Sequence, residues 1–258
     1  MADAQLRFSI AFLLGIVPAI VVLWISLRRF SYPLAPKSLF DDRRVFFALA
    51  VGLAFGAVSG SLTLAVSTSG FGIVVPLIAV ALFEEGFKLV YLNRKGYRGR
   101  FDTTFYGVSL GVGSAATLVM SSVFTNSGLL QSPDVPALVG GLLLFGLSLT
   151  FVLASTGAII GFGASQGKVL GYYVRAFLVR FSHLAILMFF FLYDPGDNPA
   201  APKDPTAAIL SLAASLVFAG IVYAFVHREV LPETLPKDIR RELLRWPGKA
   251  ERPAKESE

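Results

Sequence analysis

Glu84, Glu85 and Lys88 stand together in the run Phe83-Glu84-Glu85-Gly86-Phe87-Lys88, and Arg180 and His183 lie in a second apolar stretch far downstream. Charged side chains inside an apolar helix are costly, so such residues face the interior of a bundle and serve a purpose there. On a helix Lys88 is one turn from both carboxylates, i,i+4 from Glu84 and i,i+3 from Glu85, and can partner either. Arg180 and His183 are i,i+3 and share a face. Adjacent Glu84 and Glu85 diverge by about 100°, so at most one of them points straight into a single pocket. A carboxylate held beside a histidine where water is scarce can act as a general base on a water molecule. The same charges can also do no more than neutralise one another and fix helix packing.

The elements that must position these residues are long and apolar. Of 258 residues, 55% are hydrophobic and 16% charged, against about 25% charged in soluble domains. Seven blocks approach the roughly 20 residues that a bilayer-spanning helix needs: 8–27, 45–66, 71–92, 105–125, 137–163, 170–193 and 207–226. They lack the period-2 alternation of barrel strands, which leaves helices as the spanning structure. The expected fold is therefore all-α, a polytopic membrane bundle of about seven transmembrane helices over 1–227, with a basic tail at 228–258. The first block is too long for a signal-peptide core and runs into Arg28 and Arg29, so it is expected to remain in the protein. The absence of cysteine removes any thiolate metal site or disulfide framework.

The basic residues give the spans a direction. Assigned to alternate sides of the blocks, one side receives Arg28, Arg29, Lys37, Arg43 and Arg44, then Arg94, Lys95, Arg98 and Arg100, then Lys168, then eight in the tail. The other receives only Arg7 and Lys203, while Lys88, Arg175 and Arg180 fall inside blocks. This asymmetry places the N-terminus outside and the C-terminus in the cytoplasm of a cell-membrane protein. It also accounts for the net charge of +6 by topology and contact with anionic lipid headgroups rather than by nucleic acid, which is not an expected partner.

Depth follows from helical rise. Counting inward from the cytoplasmic side at about 1.5 Å per residue, Glu85 lies about 12 Å deep, Arg180 about 15 Å and His183 about 20 Å. The two charged sets thus share one half of the bilayer and meet if the third and sixth helices are neighbours. Arg175 is shallower and is expected to reach back to the headgroups. Small residues four apart (Gly52, Gly56 and Gly60; Gly107 and Gly111; Gly157 and Gly161) predict close helix approach within the bundle. Pro76 is a candidate kink, Asp102 a candidate N-cap, and 236–246 a short helix with apolar Ile239, Leu243, Leu244 and Trp246.

Glu84-Glu85-Gly86-Phe87-Lys88 resembles the Glu-Glu-x-x-Lys motif of the PrsW family of intramembrane proteases, and the likeness extends over roughly 75–190. Asp102 through Gly113, with Tyr106-Gly107 and Gly111, resembles the family's second conserved helix. Ser155-Thr156-Gly157 through Gly161 resembles its third motif region, and His183 falls at the place of its last histidine. The resemblance implies a glutamate-based or metal-assisted peptidase acting on membrane-protein substrates. Glu84 or Glu85 would activate water, Lys88 would be a charge partner, and His183 a base, oxyanion stabiliser or metal ligand, with Arg180 beside it. A divalent ion such as zinc normally takes three or more protein ligands. Glu84, Glu85 and His183 reach that count only together. The chain departs from the family where a Glu-Asn pair is usual, since Ala115 to Val119 is uncharged, and where a histidine is usual, since Val152 to Ser155 supplies none. Two other functions fit the same residues: a non-enzymatic scaffold that binds a partner's membrane helix, and a transporter of protons or small solutes.

Overall fold

A computed structural model of the chain describes residues 2–32, 34–35, 38–67, 74–125, 135–192 and 205–245. Seven long helices carry the fold: α1 (Ala2–Arg28), α2 (Asp42–Ser67), α3 (Val74–Leu92), α4 (Thr103–Thr125), α5 (Val135–Ser165), α6 (Val169–Leu192) and α7 (Pro205–Phe225). Each falls on one of the seven apolar blocks. No strand occurs among the described residues. Six of the helices are long and apolar enough to cross a membrane. The remaining one, α3, is of comparable length but carries Glu84, Glu85 and Lys88 within its 19 residues. The outward faces bear large apolar side chains such as Trp24, Phe46, Val90 and Ile221, the surface expected of a protein whose solvent is hydrocarbon.

α4 is the central helix, packed against α1, α2 and α5. Glycine makes this possible. A Cβ on Gly107 or Gly111 would lie closer than 3.0 Å to the backbone of Gly157 or Leu153 on α5, and one on Gly52 would strike α4 at Leu110. These are close backbone approaches that dispersion rewards and any larger residue forbids. The glycine stripes thus serve contacts within the bundle.

Contacts between helix ends gather one set of termini at one end of the bundle. The Arg44 guanidinium donates to the Gly96 carbonyl at 3.1 Å, Tyr106 Oη accepts from the Asp41 amide at 3.2 Å, and the Gly99 amide donates to Ala164 at 3.1 Å. Ser26 Oγ meets Tyr223 Oη at 2.8 Å, joining the ends of α1 and α7. The helices therefore alternate in direction, and the basic connections before α2, after α3 and after α5 share this end.

Past α7 the chain makes one turn of π-helix (Val226–Val230), then α8 (Leu231–Glu233) and α9 (Lys237–Arg245). Val230, Leu231 and Leu235 join the main apolar core, and the Thr234 hydroxyl meets Thr104 Oγ1 at 2.6 Å and the Phe101 carbonyl at 2.9 Å. On α9, Ile239 and Leu243 pack partly against the core while Arg241 and Arg245 are exposed. Trp246, the loop at 194–204, and the positions of Lys37, Lys203 and 249–258 lie outside the described residues.

One local expectation changes, while Pro76 lies three residues into the described part of α3, with the turn before it outside the described residues. Asp102 sits just before α4, but its carboxylate is taken by side chains: Arg100 through Nε at 3.0 Å and Nη2 at 2.6 Å, and the Tyr106 hydroxyl at 2.8 Å. Burial alone would raise the Asp102 carboxyl, but these donors outweigh it and hold it below the ordinary range.

Candidate functional site

α3 packs against α6, and the two charged sets meet. Arg180 Nε donates to Glu84 Oε2 at 2.5 Å, and the same guanidinium donates through Nη1 to His183 Nδ1 at 3.2 Å. Arg180 therefore ties the glutamate helix to the histidine. Its planar fork suits two acceptors at once, which a lysine ammonium in its place would serve less well. The other oxygen of Glu84 accepts from the Ser59 hydroxyl of α2 at 2.9 Å.

Glu85 has a separate partner set. Lys88 Nζ donates to Glu85 Oε1 at 2.7 Å and to Thr156 Oγ1 of α5 at 2.6 Å, while the Thr156 hydroxyl donates to the same Glu85 oxygen at 3.0 Å. The threonine closes a triangle with the i,i+3 pair and pins it to α5. Glu84, Glu85, Lys88 and His183 are at most 1% exposed and Arg180 3%. At such burial further hydrogen bonds help offset the desolvation of an ion pair, and Glu84 has them on both oxygens.

The protonation of His183 can be read from its neighbours. A guanidinium only donates, so Nδ1 accepts and Nε2 carries the proton. Nε2 then donates to Ser148 Oγ at 2.7 Å, Ser148 to Ser215 Oγ at 3.1 Å, and Ser215 to the Leu212 carbonyl at 2.9 Å. One polar string thus runs from Ser59 on α2 through Glu84, Arg180 and His183 to Ser148 on α5 and Ser215 on α7.

This assignment uses every lone pair His183 has. Both ring nitrogens are thus engaged, Nδ1 by Arg180 and Nε2 by Ser148. Both oxygens of Glu84 are likewise engaged. Among the described residues no three His, Cys, Asp or Glu side chains are placed to hold a metal ion. The donor set therefore does not fit the zinc site that the motif implied. One acceptor stands apart: Glu85 Oε2 is buried and has no hydrogen-bond partner.

All five sequence-derived site residues come together, with Lys88 choosing Glu85 over Glu84. Arg175 stays outside the cluster, exposed, with its guanidinium 4.8 Å from the Tyr172 ring centre. His227 stacks on Tyr223 with centroids 6.0 Å apart and, among the described residues, makes no hydrogen bond to the cluster. Sequence reasoning missed Ser59, Ser148 and Ser215. A hydroxyl on a helical turn with apolar neighbours was the available signal, but many serines of this chain bond only their own helix, as Ser114 does to Leu110. The chain matches no protein-family model, no curated protein and no solved structure.

Proposed function

We propose that the protein is a non-enzymatic scaffold of the cell membrane, a multi-pass bundle resembling PrsW-family proteases that binds a partner's membrane helix without cutting it. The supporting observation is that internal partners occupy both oxygens of Glu84, both ring nitrogens of His183 and one oxygen of Glu85. Arg180 holds Glu84 and His183, and Lys88 with Thr156 holds Glu85. In this role the ion pairs orient α3 against α5 and α6, and the apolar outer faces meet lipid and partner. The uncharged stretches Ala115 to Val119 and Val152 to Ser155, where the resembled family usually carries a Glu-Asn pair and a histidine, favour the same reading.

A peptidase is the second reading, favoured by Glu85 Oε2. This oxygen is the one carboxylate acceptor of the cluster left open, and a water there would lie within reach of a carboxyl group that can take its proton. The deciding assay uses the purified full chain in liposomes with a panel of single-span peptides, with and without added zinc. The scaffold reading expects intact peptides from wild type and from Glu85→Gln alike. Cleavage by wild type that Glu85→Gln abolishes would overturn it.

The end of the bundle that gathers the basic residues faces the cytoplasm in this reading. The chain has no cysteine of its own, so Lys95→Cys offers a single label. A membrane-impermeant maleimide should react with it in inside-out vesicles and not in right-side-out ones, and the opposite pattern would reverse the topology.

A further inference from the structure

We propose that the turn between α5 and α6 binds the phosphate of an anionic phospholipid. This goes beyond the scaffold reading and does not depend on it. Lys168, Tyr172 and Arg175 line a surface recess of about 440 Å³ together with the backbone of the turn. The lining holds two cations and no carboxylate, and neither cation is ion-paired among the described residues. Arg175 lies over the Tyr172 ring at 4.8 Å, a stacking that fixes the guanidinium by its face and leaves its in-plane donors for a ligand. Gly167, with φ +69, turns the chain so that the Lys168 amide bonds back to Gly163 at 2.9 Å. The backbone at the edge of the recess is thereby tied to the end of α5.

An apolar track marks the ligand as a lipid. Leu170, Val174 and Leu178 are 68%, 48% and 53% exposed and stand at i, i+4 and i+8 on one face of α6. They begin in the recess and run inward from the basic end of the bundle. A phosphodiester seated between Lys168 and Arg175 would lay its acyl chains along this track, whereas free phosphate would use the cations alone. The site differs in kind from a general attraction of basic residues to the membrane surface, because it joins two cations, unpaired among the described residues and one of them stacked on Tyr172, to an adjoining apolar track.

The test titrates the full chain in zwitterionic detergent with short-chain phosphatidylglycerol, phosphatidylcholine or inorganic phosphate, reading bound lipid by native mass spectrometry and thermal stability in parallel. Phosphatidylglycerol should bind wild type, and Lys168→Gln/Arg175→Gln should weaken that binding by about tenfold, roughly 1.4 kcal/mol. Arg241→Gln/Arg245→Gln on α9, which removes the same charge elsewhere, should change it less than about twofold. Phosphatidylcholine and phosphate should bind neither protein measurably. Undiminished phosphatidylglycerol binding by the first double variant overturns the site, and so does an equal loss in the α9 variant. Phosphate binding as tight as phosphatidylglycerol overturns the lipid assignment. If the double variant fails to fold, Lys168→Gln alone takes its place, with a loss of at least about threefold expected.

Discussion

The α4–α5 interface and the α3–α6 seam hold helices together by opposite means. Between α4 and α5 the backbones approach so closely at Gly107–Gly157 and Gly111–Leu153 that no side chain fits. Across α3 and α6 the link is a guanidinium bridging a carboxylate and an imidazole. The first contact is apolar and tolerates no added volume. The second is polar and tolerates no lost partner. Close packing is the usual way helices associate in lipid, where no hydrophobic drive exists between them. The charged seam adds specificity of register, and it concentrates any chemistry the protein has in one place.

The comparison breaks most sharply at Arg180. Arg180→Met leaves Glu84 buried without its counter-charge and His183 Nδ1 without its donor, and should destabilise the bundle by about 3–5 kcal/mol. Adding Glu84→Gln should recover a large part of that loss, because two neutral side chains then replace an uncompensated charge. Thermal unfolding of the single and double variants in detergent checks this. A double variant no better than the single would mean that the pair is not the seam's main tie.

The glycine interface comes next. Gly111→Leu should cost about 1–3 kcal/mol or more, since the obstacle is backbone on a neighbouring helix that has nowhere to move. Gly86→Ala is the counter-case on α3. A methyl there meets nothing within 4 Å, so the change should be neutral or stabilise by up to about 1 kcal/mol through helix propensity. Equal destabilisation by both would remove the distinction between the two regions.

The smallest effect belongs outside the membrane. Because Asp102 is held below its ordinary range by Arg100 and Tyr106, its contribution is fully present above the unfolded value of about 3.9. It is lost as pH falls through the lower folded value. Melting temperature measured from pH 6 down to pH 3 should fall more steeply for wild type than for Asp102→Asn. Parallel curves would show that the clasp carries no acid sensitivity.

Much of this molecule was legible residue by residue. The seven apolar blocks became seven helices because length and composition alone decide which segments can bury their backbone bonds in hydrocarbon. That the α3 and α6 charges could meet followed from helical rise, and they do so through Glu84 and Arg180. The partners did not follow, because i,i+3 and i,i+4 spacing allows Lys88 either glutamate, and the choice rests on Thr156 arriving from α5. Ser59, Ser148 and Ser215 were opaque for the same reason: a hydroxyl shows its partner only when another helix brings one.

The sequence by itself determined the helices, the side of the bundle that carries the basic residues, and the layer in which the charges lie. These depend on composition and on a fixed rise per residue. The tertiary structure alone decided that Arg180 occupies both Glu84 and His183, and that Glu85 keeps one oxygen unengaged. Those outcomes depend on which helices are neighbours and on angular position to within a hydrogen bond, and neither is written in the spacing of residues along one chain.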